Sequence, residues 1–472
     1  MSYNKHSLKA TEFISHQEIL DTLEYATAHK DDHVLIDEIL QEAEQMKGLD
    51  HRKAAVLLHN TSPEVRRKVA LMAEKIKLRF YGKRIVLFAP LYLSNYCING
   101  CVYCPYHVKN RTIPRHRLTQ EEIKREVIAL QDMGHKRLAI ESGEDPRLNS
   151  IEYILESINT IYSIHHKNGA IRRVNVNIAA TTVENYKKLH DAGIGTYILF
   201  QETYHKENYE KLHPYGPKSD YSYHTEAMDR AMEGGIDDVG IGVLFGLNTY
   251  LYDFVGLLMH AEHLEATHGV GPHTISVPRI CPADDVSLDS FPNAVPDDIF
   301  LHLIAVARIA VPYTGIIVST REKESVRRKA LHVGVSQISG GSKTTVGGYA
   351  QERDAQHSEQ FQVSDSRTLD QVVHWLLEEG HIPSFCTACY REGRTGDRFM
   401  ALCKSGQIAN CCGPNALLTL QEYLDDYASE GTREVGLQLI KEQLTYIPNP
   451  KIRTLTSQRL LEVGEGRRDL HF

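Results

Sequence analysis

A chain of 472 residues, 42% hydrophobic, can bury a large core and hold more than one structural unit. With 53 Lys and Arg against 61 Asp and Glu it is mildly acidic and lacks the basic surplus of a nucleic-acid-binding protein. It shows no run of roughly 18 apolar residues that could span a bilayer, and its opening MSYNKHSLKATEFISHQ has no apolar core of signal-peptide type, so the expectation is a cytoplasmic protein with neither membrane nor nucleic acid as partner.

Residues 1–84 read as a helical extension. Apolar positions recur at helical spacing in HQEILDTLEYA, DDHVLIDEILQEAEQM, HRKAAVLLHN and SPEVRRKVALMAEKIKLRFYG, and Ser62 before Pro63 and Glu64 has the form of a helix N-cap. From residue 85 the period changes. Eight short β-branched runs, at 85–93, 137–142, 173–179, 196–202, 237–245, 273–279, 315–320 and 335–339, alternate with amphipathic helical stretches such as TQEEIKREVIALQDMG, SIEYILESINTIYSIHHKNG and TVENYKKLHDAG. Strict alternation implies βαβ units and a parallel sheet. Eight units predict a closed (β/α)8 barrel over residues 85–342, with a doubly wound open sheet as the alternative. The glycines in DMGHKR, DAGIGT and EGGIDD fit helix C-caps.

After residue 342 the alternation stops. GGSKTTVGGYAQERDAQHSEQFQVSDSRT reads as a polar connector outside the core, followed by helices in LDQVVHWLLEEG, NALLTLQEYLDDYASEG and TREVGLQLIKEQLTYI. Residues 343–472 thus form a mainly helical C-terminal domain that holds five of the nine cysteines.

In a barrel, chemistry belongs on the loops after the strands. CINGCVYC, which follows the first run, places Cys97, Cys101 and Cys104 in C-x3-C-x2-C spacing with Tyr103 before the last cysteine. Three soft ligands on one loop can hold three irons of a cubane and leave the fourth open to a small molecule. A zinc site completed by His107 is the alternative, but zinc sites usually bring a second C-x2-C pair, and here the next cysteine is Cys281. Sparse cysteines in an odd number argue against a disulfide framework. ESGED follows the second run, QETYH the fourth, FGLN the fifth and STRE the seventh. Arg321 in STRE can grip a carboxylate, and Ser339 and Ser342 in SGGS can add hydroxyls to such a clamp, although the charged stretch TREKESVRRK also reads as a solvated helix start.

In the C-terminal domain Cys386 and Cys389 form a C-x2-C pair, and Cys412 follows at C-x2-C-x22-C spacing. A second cluster and a structural zinc both fit these thiols, and adjacent Cys411 and Cys412 leave the third ligand ambiguous. Cys281 and Cys403 read as ordinary buried or loop cysteines.

CINGCVYC before an eight-unit barrel, FQETYH after the fourth run and C-x2-C-x22-C in an added domain together resemble the tyrosine lyase family of [FeFe]-hydrogenase maturation, the HydG family, over essentially the whole chain. The cysteine loop alone resembles the radical S-adenosylmethionine (SAM) superfamily, and the C-terminal motif separates this family from the tyrosine lyase of thiazole synthesis. The resemblance implies a [4Fe-4S] cluster on Cys97, Cys101 and Cys104 that cleaves SAM, with Ser142, Gly143 and Glu144 at the cofactor's ammonium group and Tyr103 near its adenine. It implies cleavage of the Cα–Cβ bond of L-tyrosine, held through Arg321, Ser339 and Ser342, to p-cresol and dehydroglycine. An auxiliary cluster on Cys386, Cys389 and Cys412, with an extra iron bridged by free cysteine, would turn that fragment into CO and cyanide on iron. His273, at the start of the sixth run, is the candidate for steadying that iron, with His263 and His268 as competitors. The implied partners are a ferredoxin- or flavodoxin-type electron donor and other hydrogenase maturation proteins. A non-catalytic iron-sulfur carrier is the reading from another class, disfavoured by a barrel with a polar rim.

Overall fold

All eight β-branched runs form strands. They are β1 (Arg84–Ser94), β2 (Arg137–Ser142), β3 (Arg173–Asn177), β4 (Tyr197–Glu202), β5 (Val239–Val243), β6 (Thr274–Ser276), β7 (Gly315–Val318) and β8 (Gln337–Ser339). In the computed structural model, which describes residues 3–350 and 358–472, every strand lies parallel to its neighbours in sequence order, and β8 returns to β1 through the pair Val86↔Gln337. The sheet is therefore a closed (β/α)8 barrel rather than a doubly wound open sheet. No helix among the described residues is long and apolar enough to cross a membrane.

The helices around the barrel start and stop as the sequence suggests. Ser62 Oγ accepts from Val65 N at 3.3 Å with Pro63 in the first turn, and Thr119 and Glu122 form a reciprocal capping box. Gly134, Gly193 and Gly235 follow helix ends at φ of +97°, +71° and +93°, a region that side chains with a Cβ rarely enter. The N-terminal helices pack outside the barrel helices, with Pro63–Tyr81 against Asp297–Ala310. Buried His51 ties them down, with its Nε2 3.0 Å from Glu18 and its Nδ1 2.9 Å from Glu262.

Three features differ from expectation. The stretch IHHKNG after the helix Ile151–Ser163 leaves the helix and forms a small antiparallel hairpin, His165–His166 with Gly169–Ala170. A ninth strand, β9 (Ile382–Ser384), joins the N-terminal end of β1 in parallel, from Arg84↔Ile382 to Val86↔Ser384, so the C-terminal helices are anchored to the barrel through its own sheet. The connector is also not peripheral. Tyr92 Oη donates to Gln360 Oε1 at 2.8 Å, Tyr349 Oη donates to the Pro90 carbonyl at 2.8 Å and Phe361 is buried, so these residues roof the C-terminal mouth of the barrel. Residues 351–357 of the connector lie outside the described residues.

Candidate active site and auxiliary cysteine site

The loop 95–104 has no regular structure, so its backbone donors must find partners on neighbouring loops. Ile98 N donates to the Glu144 carbonyl at 2.9 Å, Gly100 N to that of Tyr215 at 3.0 Å and Val102 N to that of Leu212 at 3.0 Å. Close approach to ESGED fixes Gly143, where a Cβ would lie 2.4 Å from the Tyr96 carbonyl oxygen. The loop so held turns Cys97, Cys101 and Cys104 into a cavity of about 1110 Å³ including its open mouth, which Tyr103, Ser142, Gly143 and Glu144 also line. Among the described residues no three His, Cys, Asp or Glu side chains converge as they would on one metal ion, and His107 pairs with Asp285 at 3.1 Å.

Polar groups surround these thiols. Asn99 Nδ2 donates to Glu144 Oε2 at 2.6 Å and stands 3.8 Å from Cys97 Sγ. Lys218 Nζ donates to Glu202 Oε1 at 2.7 Å; burial works against its charge, yet Glu202 and Cys101 outweigh it and raise its pKa. Glu202, at the end of β4, holds a left-handed φ of +68°. Burial pushes the thiols up, that of Cys104 to about 12, so the protein alone favours their neutral form. Tyr103 Oη lies 2.7 Å from His213 Nε2. Because His213 Nδ1 faces the Tyr209 carbonyl at 2.7 Å, it must carry the ring proton, and Nε2 accepts from the tyrosine. Burial depresses His213 to about 2 and keeps it neutral.

A second chamber of about 700 Å³ continues into the barrel lumen. Strand register puts Tyr92 beside Glu141 and Glu141 beside Asn177, and this row lines both chambers. Burial pushes the Glu141 carboxyl up to about 8, against the pull of Arg321 and a hydrogen bond from Asn177. Arg321 also lines both chambers and lies over the Phe361 ring, 3.5 Å from its centroid. Ser339 lines the lower chamber, its Oγ accepting from Thr320 N at 3.2 Å. Ser342 lines neither chamber, which separates it from the other members of the expected clamp.

At the opposite end of the barrel, Cys386 follows β9, Cys389 lies in the short helix Ala388–Arg391, and Cys412 opens the helix Cys412–Asp426. Cys412 is held well below the usual thiol range by hydrogen bonds with Cys389 and Cys411 and by the Arg84 guanidinium. Both neighbours are raised in turn, so Cys411 and Cys412 stand together and remain alternatives as third ligand. Arg137 Nη2 donates to the Cys386 carbonyl at 2.8 Å. Cys403 is buried away from the upper cavity, whereas Cys281 lines it.

His273 stands just before β6, facing the C-terminal domain. Tyr390 Oη is 3.0 Å from its Nε2 and Asp238 Oδ1 is 3.4 Å from its Nδ1. His263 and His268 share Asp229, at 2.9 and 2.7 Å. Both are committed to that carboxylate, His263 within the helix Tyr250–His268 and His268 at its end.

Residues 91–257 match the model of the radical SAM superfamily, and residues 276–382 match the biotin and thiamin synthesis associated domain. A solved structure of HydG, a maturase of the [FeFe]-hydrogenase, superposes with a TM-score of 0.95 at 53% identity, covering 98% of this chain and 100% of that one. The chain belongs to the HydG family of radical SAM enzymes. HydG from Carboxydothermus hydrogenoformans superposes with a TM-score of 0.82 at 38% identity, covering 96% of this chain and 99% of its own. The 2-iminoacetate synthase of Salmonella typhimurium is 30% identical over 69% of this chain and 84% of its own length.

Membership in the HydG family implies SAM and a [4Fe-4S] cluster, and the upper cavity fits both. It offers three free thiols from one loop, a carboxylate beside them, and a glycine that lets two loops meet. Sequence reasoning missed Asn99, Lys218, His213, Glu141 and Gln360. Of these Glu141 and Asn99 carried a signal, since the first directly precedes the Ser-Gly-Glu already singled out and the second lies inside CINGCVYC.

Proposed function

We propose that this protein is a radical SAM tyrosine lyase of [FeFe]-hydrogenase maturation, which cleaves L-tyrosine to p-cresol and dehydroglycine and then forms CO and cyanide on iron. The observation that carries the reading is one barrel with a cysteine site at each end, joined by strands whose side chains line a lumen between them. Two similarities support it: the solved HydG structures span the C-terminal cysteines as well as the barrel, and 2-iminoacetate is the dehydroglycine fragment named in the Salmonella relative. The thiazole-pathway reading accounts for the barrel but leaves Cys386, Cys389 and Cys412 without a task.

In this reading Cys97, Cys101 and Cys104 hold the [4Fe-4S] cluster, and Ser142, Gly143 and Glu144 with Tyr103 bind SAM. Bound there, the two supply a 5'-deoxyadenosyl radical as hydrogen-atom acceptor. Lys218 and Glu202 place a compensated charge pair against the thiols. Arg321 grips the tyrosine carboxylate bidentately with Ser339 beside it, and the roof formed by Gln360 and Phe361 keeps bulk water from the lumen. Cys386, Cys389 and Cys412, or Cys411 in its place, would hold the auxiliary cluster, with His273 as the side chain that would steady its extra iron. An electron donor of ferredoxin or flavodoxin type and other maturation proteins complete the cycle in the cytoplasm.

Anaerobically reconstituted protein given SAM, a reductant and L-tyrosine should form 5'-deoxyadenosine and p-cresol, and absence of both sinks the proposal. Cys386→Ser should keep p-cresol and lose CO; unchanged CO would remove the auxiliary role.

A further inference from the structure

Two ionisable side chains that line the chamber suggest how an amino acid would sit there. Arg321 and Glu141 both line the upper and the lower chamber. No ion pair joins them among the described residues, although the Arg321 guanidinium lowers the proton affinity of Glu141. Arg321 instead rests on the Phe361 ring, and Glu141 is flanked across the strands by Tyr92 and Asn177. An uncompensated cation and a carboxyl group at the neck of one chamber mirror the carboxylate and ammonium of a zwitterion.

Resting on the lyase reading, we infer that Glu141 is the catalytic base that takes a proton from the substrate ammonium, leaving a neutral amine as the hydrogen-atom donor. The step is R–NH3⁺ + Glu141–COO⁻ → R–NH2 + Glu141–COOH, with no electron moved. The step matters because an ammonium N–H bond is stronger than an amine N–H bond, so a carbon radical abstracts from the amine far more readily. Arrival of the substrate also prepares the base. Once the substrate carboxylate occupies Arg321, the guanidinium no longer lowers the proton affinity of Glu141, and the carboxylate draws the ammonium proton more strongly. In the free protein burial already pushes Glu141 up to about 8, near the range where an α-amino group titrates.

The sign of the linkage gives a test that needs no turnover. At pH 7 free Glu141 is mostly protonated and tyrosine is mostly a zwitterion, whereas the paired complex holds a single proton on the two groups. Binding should therefore release about one proton per tyrosine at pH 7 and progressively less as the pH rises past 8. Calorimetry of the reconstituted, unreduced protein with SAM, in buffers of different ionisation enthalpy, reads that number. Glu141→Gln should release none. In turnover, Glu141→Gln should lower p-cresol formation by roughly 100-fold at pH 7 and regain rate toward pH 10, as the amine loses its own proton. Asn177→Leu, which removes a hydrogen bond favouring the carboxylate, should move the acidic limb of the wild-type profile to higher pH. Equal proton release by wild type and Glu141→Gln, or a Glu141→Gln profile identical to wild type, overturns the assignment. Wild type that makes no p-cresol overturns the lyase reading instead, so the two failures are distinguishable.

Discussion

The two ends of the barrel handle buried charge differently. At the C-terminal mouth the polar groups around the cysteine loop pair off: Lys218 with Glu202, Asn99 with Glu144, Tyr103 with His213. At the N-terminal end the thiols lean on one another and on arginines that begin the strands, Arg84 on β1 and Arg137 on β2. The same strands serve both ends. β2 starts at Arg137, beside Cys386, and ends in Glu141 and Ser142; at about 3.3 Å per residue the strand separates the two surroundings by roughly 17 Å. β3 repeats the plan, from buried Arg173 to Asn177. The contrast teaches that the upper site is organised by side-chain pairs within the loops, the lower one by where strands begin.

Breaking a pair at the mouth should have the largest effect. Lys218 and Glu202 are largely shielded from water, at 17% and 10% side-chain exposure, so Lys218→Met leaves a carboxylate buried alone. Loss of one partner of such a pair costs about 3–5 kcal/mol, to be read as a lowered denaturant midpoint. The double variant Lys218→Met with Glu202→Leu should recover most of it, whereas no recovery would show that Lys218 stabilises through packing instead. At the other end Arg137→Met removes one charged hydrogen bond to the Cys386 carbonyl, worth about 1.5–3 kcal/mol. CO release should fall by about tenfold or more while p-cresol formation holds. Equal loss of both products would mean that the strand transmits damage to the mouth, and the contrast between the ends would fail.

How much of this the sequence announced depended on range. All eight barrel strands were legible because each is a local, β-branched run with a helix behind it, and the three-cysteine loop because its spacing is a local fact. β9 was hidden. Its three residues include Pro383, and it exists because β1 offers an edge to it. Phe361 and Gln360 sit in a stretch polar enough to read as a linker, and only the barrel mouth beneath them makes them a roof. Lys218 lies 114 positions after Cys104 in YGPKSD, where nothing nearby marks a buried cation. Glu141 shows the middle case: its residue type was visible beside Ser142, but its row with Tyr92 and Asn177 comes from strand register.

The smallest expected effect separates the two serines of SGGS. Their spacing suggested that both reach the substrate carboxylate, but the chain turns between them. Gly341 takes φ of +59°, and a Cβ there would meet Met133 of the outer helical layer at 2.7 Å. Ser339 keeps its side chain on the lumen side, while buried Ser342 Oγ has no hydrogen-bond partner among the described residues. Removing an unpaired buried hydroxyl costs little, so Ser342→Ala should leave the denaturant midpoint unchanged or slightly raised and the KM for tyrosine within about twofold. Ser339→Ala loses the acceptor for Thr320 N as well as a hydroxyl facing the lower chamber, and its KM should rise by about fivefold, equivalent to roughly 1 kcal/mol. A larger KM effect from Ser342→Ala than from Ser339→Ala would mean that the loop after β8 turns inward when substrate binds, and the clamp would then be built from the residue that the free protein holds away from the lumen.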